Sequence, residues 1–142
     1  MNMFIASLMF IALFAVSIAH LLWSFGRTWP IRNQKLLAQT VLGFKDVERM
    51  PRLASFAIAI GTFITGIFAL SLADHDSGGG WLDVVGLGLA AIFLARGILG
   101  YTSWWAQLTP EPNFRLNDRR VYSPLCLFLG LGFIVLVYFR LS

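Results

Sequence analysis

Apolar positions fall into four runs along the chain, and most polar positions collect in the gaps between them. The runs predict transmembrane helices over about 3–25, 53–73, 81–105 and 121–140. Each is near the roughly 20 residues that a helix needs to cross about 30 Å of hydrocarbon. Lipid offers no partners to open backbone groups, so every span must be helical. No charge interrupts Leu53 to Ala73 or Val121 to Phe139, whereas the third run carries Asp83 and Arg96. The expected fold class is all-α, a four-transmembrane-helix bundle. It forms one integral membrane domain over 1–142, without repeat or linker.

The gaps have patterns of their own. In the first, Leu36, Leu37, Thr40 and Val41 recur at helical spacing, Gly43 marks a helix end, and Phe44, Val47 and Met50 recur at i, i+3. This predicts two short amphipathic helices lying on the inner leaflet, apolar side down. Pro51 marks the start of the second span. The second gap, "DHDSGGG", is a tight reversal, and its Asp74, His75 and Asp76 are too close in sequence to converge on one ion, so no metal site is expected. The third, "QLTPEPNFRLNDRRVYSP", reads as a structured connection rich in proline.

Charge then sets the orientation. The first loop holds six cations (Arg27, Arg32, Lys35, Lys45, Arg49, Arg52) and the third holds three (Arg115, Arg119, Arg120), whereas Arg140 stands alone at the other side. The positive-inside rule makes these two loops cytoplasmic and puts both termini outside, in a bacterial inner membrane. The same bias accounts for the net charge of +4 without nucleic acid as a partner, and points instead to anionic headgroups. The first run lacks a cation before its apolar region and is too long for a secretory leader, so cleavage near Ser17-Ile18-Ala19 is not expected. With 58% hydrophobic and 13% charged residues, the chain cannot present the surface of a water-soluble domain. Its single cysteine, Cys126, excludes an internal disulfide; a small buried role suits it better than that of a reactive thiol. Trp23, Trp29, Trp104, Trp105 and Tyr122 fall at the predicted inner boundary, Trp81 and Tyr138 at the outer one.

Small residues predict the helix seams. Ser55, Ala59, Thr62, Gly66, Ala69 and Ala73 line one stripe of the second span; Gly86, Ala90, Gly97 and Gly100 line another on the third. Such seams leave little room for a large central cavity. Arg96 lies beside the glycine seam, roughly 12 Å inside the inner interface counted back from Trp104 at 1.5 Å per residue. Ser17, His20, Ser24 and Arg27 form the polar stripe of the first helix, with His20 about 10 Å deep.

Ionisable groups inside the membrane are candidates for function. Arg96 would bind an anionic headgroup, His20 would give or take a proton, and Ser17, Ser24, Trp23, Tyr101 and Tyr122 would complete a ligand pocket in the inner leaflet. A structural reading stands beside this one. Arg96 pairs with Asp118 or Glu111 or with helix-end carbonyls, and His20 is a neutral, hydrogen-bonded core residue. No phosphate-binding loop, nucleophile elbow or metal motif is present, and no cofactor is implied.

"HLLW" (His20–Trp23), "WP" (Trp29, Pro30), "ERMP" (Glu48–Pro51), "ARGILGY" (Ala95–Tyr101) and "YSPLC" (Tyr122–Cys126) occur in this order over almost the whole chain. The ensemble resembles a family of small bacterial four-helix integral membrane proteins known as domain of unknown function 3995. The resemblance implies fold and membrane location, and transfers no catalytic role. The leading expectation is a non-catalytic module binding an anionic lipid or a partner subunit at the cytoplasmic leaflet. An enzyme acting on an anionic amphiphile through His20 and Arg96, and a small oligomeric transporter, are the alternatives. Full pairing of Arg96 with Asp118 would remove the enzyme; a closed, dry centre would remove the transporter.

Overall fold

In the computed structural model, which describes residues 1–76 and 78–142, the chain is all helical among the described residues. Four long helices carry the apolar runs: α1 (Asn2–Ser24), α3 (Arg52–Ala73), α4 (Trp81–Leu99) and α7 (Ser123–Leu141). All four are long and apolar enough to cross a membrane, with mean hydropathies of 2.0 to 2.4. Three short helices, α2 (Gln34–Leu42), α5 (Ser103–Leu108) and α6 (Pro112–Asn117), lie in the two basic connections. The end holding them is the loop end; the other, with both termini, the last turn of α3 and the first turn of α4, is the terminal end.

The bundle is built from two antiparallel hairpins. In the first, α1 packs along α3, where Gly66 admits Phe10 and Leu13 and the Ser17 hydroxyl donates to the Ala59 carbonyl at 2.6 Å. In the second, α4 packs along α7 closely enough that β-carbons on Gly97 and Gly130 would lie 3.0 Å from the backbone nitrogens of Leu127 and Leu94. The α4–α7 face thus brings two backbones together and the α1–α3 face seats side chains on a bare glycine, as small residues do in lipid, where dispersion contacts replace the hydrophobic drive. The hairpins join in the terminal half, around a core that includes Met9, Leu13, Leu72, Phe133 and Leu136, all nearly or fully buried. At the terminal end itself Arg140 pairs with Asp83 at 3.2 Å and donates to the Asp74 carbonyl at 3.0 Å. The lone cation of that side is thereby neutralised beside the first turn of α4, where Asp83 also meets the positive end of the helix dipole.

Three elements depart from the sequence expectation. The third span ends at Leu99, not at residue 105. Thr102 accounts for the break: its hydroxyl donates back to the Leu99 carbonyl at 2.8 Å and accepts the Trp105 N–H at 3.3 Å, so one side chain closes α4 and caps α5. The fourth span is preceded by a π-helical turn, Asp118–Tyr122, in which the Ser123 N–H reaches back five residues to the Asp118 carbonyl. Pro124, in the first turn of α7, has no N–H to donate, so the normal ladder cannot run through this point.

The first loop holds one helix rather than two. Asn33 caps α2 by accepting the Leu36 N–H at 3.0 Å, and Gly43 ends it at φ 83°, a left-handed value that suits glycine. Residues 44–50 are irregular, with a turn at Lys45 and Asp46. The apolar side of α2 does not face lipid: Leu37 and Ala38 are buried against Trp23 and Met50. A helical periodicity shows that one face is covered, and both a leaflet and a protein surface satisfy it.

Candidate functional site

The hairpins part towards the loop end. A β-carbon on Gly132 of α7 would meet the Met9 sulfur at 2.5 Å, so α1 and α7 touch in the terminal half. Farther along, Val16, Ala19 and His20 on α1 face Leu125 and Cys126 on α7 across a cavity of about 670 Å³. Its roof comes from the first loop and α2, and one side is closed by Phe114, Asn117 and Tyr122 from the α6–α7 region. The expectation of little internal volume holds for the seams and fails here, where α1 and α7 no longer touch.

The roof is tied to both hairpins. The Trp23 indole N–H donates to the Trp29 carbonyl at 2.7 Å and the Gln34 amide to the Gly26 carbonyl at 3.1 Å, which hold the 26–34 segment over α1. The Trp29–Pro30 peptide is cis. On the opposite side the Tyr122 hydroxyl donates to the Thr40 carbonyl at 3.3 Å, and the Glu111 N–H to the Gly43 carbonyl at 3.3 Å.

Arg96 borders this cavity from the last turn of α4, one turn before the helix ends, so it is nearer the membrane boundary than a helix continuing to Trp105 would place it. There the cation also meets the negative end of the helix dipole. Its Nη2 donates to Asp118 Oδ1 at 2.7 Å, and its Nη1 lies 3.5 Å from the Ser123 hydroxyl. Asp118 further accepts the Trp105 indole N–H at 3.0 Å and the Ser123 hydroxyl at 3.1 Å. The guanidinium carbon stands 5.0 Å from the centre of the Trp105 ring, within cation–π range. The carboxylate side chain is only 2% exposed and the guanidinium side chain 29%, so the anion is sealed and the cation keeps one side open. Gly100 is what lets this cluster close: any β-carbon there would collide with the Ser123 hydroxyl and lie 2.9 Å from Asp118 Oδ2.

His20 approaches the cavity from α1 and lies against the Trp23 ring, centroids 4.7 Å apart. Its Nδ1 is 3.0 Å from the Val16 carbonyl. A carbonyl oxygen only accepts, so Nδ1 carries the proton, and in the neutral ring Nε2 is a bare acceptor.

Four of the seven residues expected at the site therefore border one cavity: His20, Trp23, Arg96 and Tyr122. His20 and Arg96 both border it although they stand on helices from different hairpins. The other three do not line it. Ser17 is spent on the α1–α3 seam, the Ser24 hydroxyl donates to the Leu21 carbonyl at 2.6 Å, and the half-exposed Tyr101 donates to the Arg119 carbonyl at 3.2 Å. Trp23 and Trp105 are likewise no headgroup anchors, since both indole N–H groups are consumed inside the protein; Trp29, Trp81, Trp104 and Tyr138 are exposed. Sequence reasoning missed Ser123, Trp105 and Asn117 at the site, and Thr40 under the roof. The adjacency of "YSP" to a proline-disturbed helix start was the available signal for Ser123.

Residues 13–133 match the family described as Protein of unknown function (DUF3995). The chain belongs to that family. The match takes in α2 to α6 whole, and every residue of the cavity and of the Arg96–Asp118 cluster. No curated protein and no solved structure matches the chain.

Proposed function

We propose that this member of the DUF3995 family is a non-catalytic membrane module that holds the polar end of an amphiphile between its two hairpins. The observation that carries the reading is the cavity of about 670 Å³, apolar in most of its wall, with His20 and Arg96 brought to its border from opposite hairpins. Its volume lies in the range of small-molecule sites, and a few polar groups in an apolar cleft is how such sites fix orientation. Its position, at the end of the spanning helices, suits a ligand with a headgroup and a tail. The nine cations of the first and third loops support placing this end at the cytoplasmic side of a bacterial inner membrane, both termini outside, with anionic lipids gathered around its rim. A partner subunit could share that basic surface.

The alternatives draw less support. An enzyme using Arg96 as a free anion clamp loses the clamp to Asp118. A transporter would have to open the terminal half, where Met9, Leu13, Phe133 and Leu136 are packed together.

Native mass spectrometry of the protein gently extracted from its membrane tests the reading. We expect one amphiphile per chain, lost when the cavity is filled from either wall by Ala15→Phe or Cys126→Phe. Equal retention by wild type and both filled variants, with helicity unchanged, would refute it.

A further inference from the structure

We infer that the cavity selects an uncharged amphiphile bearing a hydroxyl beside a carbonyl, the chemistry of a monoacylglycerol headgroup, over an anionic lipid. The inference rests on the amphiphile-holding reading and goes further by naming the headgroup. It follows from the polar atoms that remain once internal hydrogen bonds are made.

Charge comes first. Arg96 is the one cation among the lining residues, and no anion is among them. Its charge is already balanced by Asp118 at 2.7 Å. An anionic headgroup entering the cavity would leave water, or the cationic rim, for a site of no net charge with a sealed carboxylate behind its only cation. Burying an ion costs far more than burying a neutral polar group unless a counter-ion is free to meet it. The cations that are free for anions lie on the loops and do not line the cavity.

Hydrogen-bonding capacity comes next. The Trp23 N–H and the Tyr122 O–H are spent on backbone carbonyls of the roof. Arg96 has five N–H groups, of which two are directed at Asp118 and Ser123, so it still offers donors. His20 Nε2 offers a lone pair, and Asn117, whose amide N–H donates to the Asn113 carbonyl at 2.8 Å, keeps its Oδ1 as a further acceptor. A ligand that satisfies these groups must present an acceptor to Arg96 and a donor to the acceptors on the other walls, His20 first among them. An ester carbonyl with a neighbouring hydroxyl does so without charge. A lysophosphatidic acid keeps one such hydroxyl beside its ester, so the charge of its phosphate is what sets it apart, and that charge finds no free counter-ion here.

The test uses three probes with the same 9,10-dibromostearoyl chain, whose bromines quench tryptophan, added to the detergent-solubilised full chain. They are the glycerol monoester, the methyl ester and the lysophosphatidic acid. Trp23 and Trp29 in the cavity wall report binding, and the Cys126→Phe variant supplies the background from tryptophans elsewhere. The glycerol ester should bind about tenfold tighter than the methyl ester, the worth of one net hydrogen bond, and at least tenfold tighter than the lysophosphatidic acid. His20→Phe should erase the gap between the two neutral esters, and His20→Gln, which restores an acceptor, should keep most of it. The lysophosphatidic acid binding as well as or better than the glycerol ester, or a gap that survives His20→Phe, overturns the inference while leaving the cavity reading in place. Saturable quenching by none of the three overturns both. The ranking of probes on the wild-type chain decides the matter even if a His20 variant fails to fold.

Discussion

The Arg96–Asp118 pair is asymmetric, and the asymmetry makes a sharp prediction. Asp118 is sealed at 2% exposure and takes three donors, from Arg96, Trp105 and Ser123. Arg96 is 29% exposed and stands in the last turn of its helix, within reach of the boundary by extending its side chain. Arg96→Met strands a buried carboxylate with two neutral donors and no counter-ion, and breaking a buried pair in this way costs about 3–5 kcal/mol. Asp118→Asn keeps one oxygen for Arg96 and Ser123 but turns an N–H towards the Trp105 N–H, leaving one buried donor unmet. Its cost is about 2 kcal/mol, because the released guanidinium can still find water or headgroups. The Arg96→Met/Asp118→Asn double variant has no stranded ion and should be no worse than Asp118→Asn, giving a coupling of about 3–5 kcal/mol. In thermal unfolding of the detergent-solubilised protein, this corresponds to a Tm lowered by about 10–15 °C for Arg96→Met and about 5–8 °C for the other two. Asp118→Asn at least as damaging as Arg96→Met, or additive losses in the double variant, would refute the reasoning.

Gly100→Ala drives a methyl into the Ser123 hydroxyl and against Asp118; it should cost about 1–3 kcal/mol, read as a lower Tm, and a Tm within 1–2 °C of wild type would contradict the close approach. Tyr122→Phe removes the bond to the Thr40 carbonyl; amide exchange should accelerate about fivefold in α2, for roughly 1 kcal/mol, and remain unchanged in α1. Cysteine introduced at Ser142, in a Cys126→Ser background, should react with a membrane-impermeant maleimide in intact spheroplasts, whereas cysteine at Lys45 should not; the reverse pattern would invert the orientation drawn from the cations.

The four spans were legible in the sequence because lipid imposes a one-dimensional condition, a run of some twenty apolar residues with its backbone satisfied internally. The small-residue seams were legible for a similar reason: at Gly66 and Gly97 a helical period and a missing side chain are enough to mark a face of close approach. The pairing of Arg96 could be named only as one of several options, since Asp118 lies 22 residues away and Glu111 stands on the same connection. The break at Thr102 and the π-helical turn before Pro124 are what carry Asp118 inward, and both are hydrogen-bond arrangements that leave no periodic trace. The buried face of α2 reads identically whether lipid or Trp23 covers it. The cavity lies furthest from what a sequence can express, for it arises where two helices stop touching. His20 and Arg96 share it through the divergence of α1 and α7, a property of how whole hairpins dock and of no residue alone.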